Sequence, residues 1–239
     1  MDWKVTSIGS ICFCKWNICM KLDVPYISSP FDNVQNLSVY QFENIREMIQ
    51  MDYSQIETGM LEKRYQVGKR IADGKQVMYK GYKYVGQELA GEFILAHFFD
   101  DARPNAWLDY DEAWRRWWHK CGNLRTALSD RANGLLLVSL RLNSGGENDT
   151  PYRRDYLARS LRRLARLFQD RYERTPKDCR IISLVTSSDV TKTIVEADEP
   201  FFRQVVVPSG PETNMPYWER KPRQEYIDIV KQYMESFQP

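Results

Sequence analysis

The sequence predicts an α/β protein, a three-layer sandwich whose largely parallel central sheet is flanked by helices. Three observations carry that expectation. The runs at 134–140 and 180–185 are almost continuously apolar, the mark of strands covered on both faces. An amphipathic stretch at 152–172 lies between them, with Leu157, Leu161, Leu164 and Phe168 on one side. Strands and helices then alternate to the end, and strand–helix–strand connections of this kind build parallel sheets. No internal repeat or low-complexity linker interrupts the 239 residues, so 1–239 reads as a single domain. The polar stretch 143–150 reads as a loop.

The elements follow in order. Residues 3–8 make a first strand, ended by Gly9-Ser10. Residues 12–22 read as a helix, with Ile11, Cys12, Ile18 and Leu22 turned inward. Ser29-Pro30-Phe31-Asp32-Asn33 is turn chemistry. A helix at 39–51 is opened by a capping box of Ser38 and Gln41 and carries the stripe Phe42, Ile45, Met48 and Ile49. Residues 76–85 read as a small hairpin turning near Lys80-Gly81. The run 93–99 is a strand or the end of a helix, and Pro104-Asn105 breaks it. A helix at 111–130 carries Trp114, Trp117, Trp118, Leu124 and Leu128. One side of that tryptophan cluster belongs to a core, and one indole to a cleft or interface. Residues 202–207 form another strand. The final helix, 223–237, packs through Ile227, Val230, Met234 and Phe237.

Composition narrows the function. Lys and Arg number 34 against 32 Asp and Glu, a net charge of +2, so no global field draws the chain to nucleic acid or to a membrane surface. No apolar run approaches the ~20 residues of a membrane span. The start, Met1-Asp2-Trp3-Lys4, lacks the basic and apolar regions of a secretory leader. Five cysteines are an odd number, and three of them (Cys12, Cys14, Cys19) crowd one segment. That is a poor disulfide framework and points to a reducing, cytoplasmic setting. Phosphate-loop, dinucleotide and zinc signatures are missing, so no cofactor and no metal is expected. With two histidines in the chain, any histidine-dependent mechanism has only His97 and His119 to choose from.

Ser7-Ile8-Gly9-Ser10-Ile11-Cys12 sets a small-residue turn between a strand and a helix. Cys12 then falls in the first helical turn, where unpaired N–H groups and the dipole stabilise a thiolate. Paired with a distant histidine, such a thiolate forms a nucleophilic site, with the backbone N–H groups after Gly9 facing an oxyanion. The plainer reading is a small core cysteine. His97 is the favoured base, because it ends an apolar run and precedes Asp100 and Asp101. It too has a plainer reading, as a core histidine bonded to backbone. His119 falls on a surface helix and reads as solvent-facing. The orienting third group is Asp100, Asp101, Asn105 or Asn143, with Asp100 taken as the working choice.

Ser7-Ile8-Gly9-Ser10-Ile11-Cys12 followed by Ser28-Ser29-Pro30-Phe31-Asp32 resembles a domain family of unknown function described as papain-like cysteine peptidases. Its members read S-L-G-x-x-C, then P-F-D-W, then a later histidine. Here Ile8 stands for the leucine and Asn33 for the tryptophan. The resemblance covers roughly the first 35 residues and the His97 region. It implies a cysteine hydrolase or acyl-transfer enzyme, with Cys12 as nucleophile and His97 as base. Ser10, Asp32, Arg159 and Arg163 are the candidate substrate-binding residues, for a peptide, acyl or glycan substrate. Domains of this family accompany surface-glycan genes, which raises a sugar-nucleotide transferase as the alternative. For that reading Asp109-Tyr110-Asp111 would hold a metal diphosphate. Its plainer role is to cap the following helix. Arg159, Arg162, Arg163 and Arg166 share one helix face that suits phosphate or carboxylate, and that would also serve a non-catalytic binding module. The plainer reading is a solvated face balanced by acids elsewhere.

Overall fold

The computed structural model describes residues 2–8, 22–31, 60–72, 75–85, 93–95, 107–141, 150–210 and 223–237. Its centre is a five-stranded, mostly parallel sheet. The strands are β1 (Trp3–Ser7), β5 (Gly134–Arg141), β6 (Cys179–Ser187), β7 (Ile194–Glu199) and β8 (Phe202–Pro208), in the order β1-β5-β6-β8-β7. All neighbours are parallel except β7, which lies antiparallel on β8 at the edge. A smaller antiparallel sheet holds β2 (Met60–Ala72), β3 (Lys75–Val85) and β4 (Phe93–Leu95) in that order. The helices among the described residues are α1 (Tyr110–Ser129), α2 (Pro151–Tyr172) and α3 (Gln224–Glu235).

The apolar runs behave as their composition predicts. Along β5, Leu135 and Leu137 join one buried cluster while Leu136, Val138 and Leu140 join another. Successive side chains of a strand point to opposite faces, so both faces of β5 are covered. The first cluster contains Trp117, Leu124 and Leu128 of α1 with Leu157, Leu161, Leu164 and Phe168 of α2. The second contains Tyr226, Ile227, Val230 and Met234 of α3. Each fully buried aliphatic or aromatic side chain contributes roughly 1.5–3 kcal/mol, so this central sheet is the energetic heart of the molecule.

Two details set the ends of that sheet. At the amino end, Gly134 lies directly opposite Trp3. A Cβ on Gly134 would meet the indole at 2.5 Å, so only glycine lets the ring lie against the strand. Beyond the same end, Arg174 is buried and makes its hydrogen bonds to main-chain carbonyls, with the Asp178 carboxylate 3.8 Å away. Its Nε reaches Leu128 O at 2.8 Å, and its Nη atoms reach Asn133 O at 3.0 Å and Asp130 O at 2.6 Å. It also donates to Ala127 O. The carbonyls at a helix end lack intrahelical partners, and Arg174 supplies them for α1.

Several expected elements differ from the structure. Residues 76–85 do not turn on themselves at Lys80-Gly81. They belong to one strand, β3, paired along β2 from Met60↔Val85 to Ala72↔Lys75. Asp73-Gly74 lies between the last pair, and this dipeptide is the stronger hairpin signal. The strand at β7 has no sequence signal, because none of its residues is fully buried and three of them are acidic. The expected helices at 12–22 and 39–51 lie outside the described residues, apart from Leu22. Where the run 93–99 left two options, Phe93–Leu95 is a strand. Tyr82 ties the small sheet to α1: it is buried in the same cluster, and its hydroxyl donates to Leu108 O at 2.5 Å.

Candidate functional site

Ser7, Ile8 and the 22–31 segment build the described part of the site at the carboxyl end of β1. Tyr26 forms a parallel bridge with Val5. Val5 N donates to Pro25 O at 2.9 Å, and Ile27 N donates to Val5 O at 2.8 Å. The chain therefore lies against β1 on one side through Tyr26 and on the other through β5. At the end of the strand, Ser29 Oγ donates to Ser7 O at 2.8 Å and accepts from Phe31 N at 3.2 Å. Ser7 Oγ is 3.2 Å from the Tyr26 hydroxyl. Ile8 N still donates to Val138 O at 2.9 Å, so the sheet holds the backbone up to the residue before Gly9. Phe31 is fully buried with Ile8 in the core cluster.

A second polar group meets this spot from α1. Asn123 Nδ2 is 3.0 Å from Ser28 Oγ, across 95 positions of sequence, and 3.3 Å from His119 Nε2. His119 is exposed, as its helix position predicts. The sequence reading does not connect these three residues. The four-residue spacing of His119 and Asn123 places them on one helix face, but nothing local brings Ser28 to them.

Of the candidate residues, Ser10, Cys12, Asp32, His97 and Asp100 lie outside the described residues, as do Asp101, Asn105 and Asn143. Arg159 and Arg163 ride on the exposed side of α2. Arg159 pairs with Asp155 at 3.1 Å and lies over the Tyr156 ring, and Arg162 pairs with Glu199 at 2.5 Å. This helix face thus carries acidic counter-charges close by. Asp109 caps α1: its Oδ1 accepts from Asp111 N at 3.0 Å and from Glu112 N at 3.3 Å. Of the three tryptophans, Trp117 is fully buried, Trp114 packs against the core and Trp118 is exposed.

Two cysteines can be placed, and neither suits nucleophilic work. Burial pushes the Cys121 thiol strongly up, and pushes Cys179 up to about 12. A thiol held that high stays protonated at neutral pH and is a poor nucleophile.

The other buried polar node runs from Ser187 at the carboxyl end of β6 to Gln204 near the start of β8 and Glu196 on β7. Arg154, in the first turn of α2, sends Nε to Glu196 Oε1 at 3.1 Å and Nη1 to Ser187 Oγ at 3.2 Å. Asp189 stands 3.6 Å away. Gln204 Nε2 donates to Glu196 Oε2 at 2.8 Å and to Arg154 O at 3.1 Å. A cation at a helix N-terminus opposes the dipole, and the two carboxylates compensate it.

The fold and these polar groups define an α/β protein with a polar cluster where its first strand ends. No family model matches the chain, and neither a curated protein nor a solved structure matches it. No helix among the described residues is long and apolar enough to cross a membrane.

Proposed function

We propose that the protein is a cysteine-nucleophile enzyme, a hydrolase or acyl-transfer enzyme of papain-like peptidase type, with Cys12 as the attacking group. The observation that carries this reading is how the carboxyl end of β1 is flanked. The carboxyl end of β1 has Tyr26 on one side and β5 on the other. Divergence of this kind at the carboxyl ends of parallel strands is where open α/β sheets bind ligands. Residue 12 follows Ile8 by four positions, a reach of at most about 14 Å. The resemblance adds support, since Ser7, Ile8, Ser29 and Phe31 of the two motifs are bonded or packed together at this point.

The substrate class is a carbonyl compound, whether peptide, acyl or glycan-linked, and the setting is cytoplasmic. The same proposal takes 1–239 as a single three-layer domain. The split of apolar side chains between α1 with α2 and α3 supports the layering. Sugar-nucleotide transfer through Asp109 and Asp111 has less support, because Asp109 Oδ1 is already engaged by two backbone N–H groups.

Alkylation of the folded chain by iodoacetamide, followed by peptide mass spectrometry across pH 5–10, tests the reading. Cys12 is expected to react well before Cys121 and Cys179, with a midpoint below 7. A midpoint near the ordinary ~8.5 would remove the case for a nucleophile.

A further inference from the structure

We infer that the furrow between α1 and α2 binds single-stranded nucleic acid, with arginines of α2 taking phosphates while Trp118 and Tyr152 stack on bases. The inference is independent of the cysteine-nucleophile reading. Charge comes first. α1 carries four Lys and Arg against two acids, and α2 carries seven Arg against two acids, a net +7 on the two helices. The whole chain nets only +2, so the neutral total conceals a basic helix layer offset by an acidic remainder. Arg154 is buried against Glu196, and Arg162 is turned toward Glu199. Arg159, Arg163 and Arg166 are exposed, and their spacing sets them in one row along α2. Arg159 pairs with Asp155 at the surface, an exposed pair that a phosphate can replace.

The sheet then fixes how the helices lie. α1 leads into β5 and α2 into β6, and these strands are parallel neighbours, so the helices lie side by side and run the same way. Arg174, two residues past α2, donates to Ala127 O and Leu128 O of α1, so both helices end at one level. Counted back from the ends, Trp118 stands at about 16 Å, between Arg159 at about 20 Å and Arg163 at about 14 Å. Asn123 reaches Ser28, on the side of β1 away from β5, so that flank of α1 faces away from α2. Trp118 lies on the other flank and leans into the furrow. In the same way Arg162 marks the β7 flank of α2, and Tyr156 lies on the flank toward α1.

The chemistry of the furrow selects its ligand. Arginine forks grip phosphate oxygens in pairs. Trp118 is 39% exposed and Tyr152 68%, so ring faces are presented beside the arginine row. Such faces stack on any unpaired base. A duplex keeps its bases stacked on one another and would reach only the arginines. An acidic peptide would likewise leave the rings unused. A bilayer calls for protruding apolar side chains, whereas Trp114 and Tyr156 are recessed against the core cluster and Arg159 lies over the Tyr156 ring.

The test measures fluorescence anisotropy of labelled oligo-dT and oligo-U of about 15 nucleotides with the full-length chain. Saturable binding is expected, with a log–log salt slope near −2, about 0.7 for each of three phosphate contacts. Arg163→Ala should weaken binding and flatten the slope by about 0.7. Trp118→Ala should weaken binding by about fivefold or more with the slope unchanged, which separates stacking from charge. Lys231→Ala, on α3 across the sheet, should change neither. Circular dichroism checks that each variant is folded. Absence of saturable binding overturns the inference. Wild-type affinity in the Arg159→Ala/Arg163→Ala double variant, or in Trp118→Ala, overturns it as well. Equal affinity for a duplex of the same length removes the single-strand assignment. Displacement of the strand by polyglutamate or by phosphatidylserine vesicles at equal charge would give the face to an acidic protein or to a membrane instead.

Discussion

Two buried arginines bracket α2, and they are held in opposite ways. Arg174, just past the C-terminus, places its guanidinium among main-chain carbonyls of the α1–β5 connection and Asp178. Arg154, in the first turn, is held by the side chains of Glu196, Ser187 and Asp189. Backbone acceptors are set by the path of the chain and cannot leave. The carboxylates holding Arg154 sit at the surface, with Asp189 half exposed, where solvent and salt compete for them. The amino end of the sheet is thus closed by hydrogen bonds to fixed backbone carbonyls. The carboxyl end is closed by replaceable side-chain contacts, and it is also the end where the candidate site lies.

Substitutions break this comparison in a defined order. Arg174→Met leaves the α1 carbonyls without donors in a dry interior and should cost about 3–5 kcal/mol. In a chain of this size that is a fall in Tm of roughly 10 °C. Gly134→Ala, at the same end, sets a methyl against the Trp3 indole and should cost about 1–3 kcal/mol. Arg154→Met should cost about 1–2 kcal/mol at low salt, because Glu196 and Asp189 can be resolvated. Its deficit should shrink in 1 M NaCl, whereas that of Arg174→Met should not. Equal salt dependence of the two would erase the distinction drawn here. Asp109→Ala removes the α1 cap and should cost about 1 kcal/mol by urea unfolding.

The smallest effect sharpens the comparison through pH. The Asn133 amide and the Lys4 ammonium hold the Asp130 carboxyl at about 2, below its usual value. A depressed carboxyl stabilises the fold above its unfolded pKa of ~3.9, and that contribution is lost as pH falls through about 2. Wild type should therefore exceed Asp130→Asn in stability at pH 6 and converge with it near pH 2. A difference independent of pH would show that Asp130 acts through shape alone.

Much of the central fold is legible in the residues. Leu135–Leu140 and the stretch from Ile181 to Val185 announce buried strands because burial on both faces demands apolar side chains at every position. The α1 cap at Asp109 is legible for a local reason, since its bonds reach only to Asp111 and Glu112. β7 is not legible. As an edge strand it carries Glu196, Asp198 and Glu199, charges that protect an open edge and hide the pattern. The β2–β3 hairpin is hidden in the same way, because Glu62, Lys63, Arg64 and Lys69 interrupt the apolar pattern of β2.

The sequence by itself determined the α/β class, the positions of the buried strands and the helices packed on them, and the short motif at Gly9–Cys12 that suggests a nucleophile. Those features rest on local periodicity and composition, which the chain carries residue by residue. Tertiary structure alone decided which polar groups meet. Arg174 reaches a helix carbonyl 46 residues upstream, and Ser28 meets Asn123 across 95 positions. Their partners are brought near by sheet order and helix direction, and no local pattern encodes those.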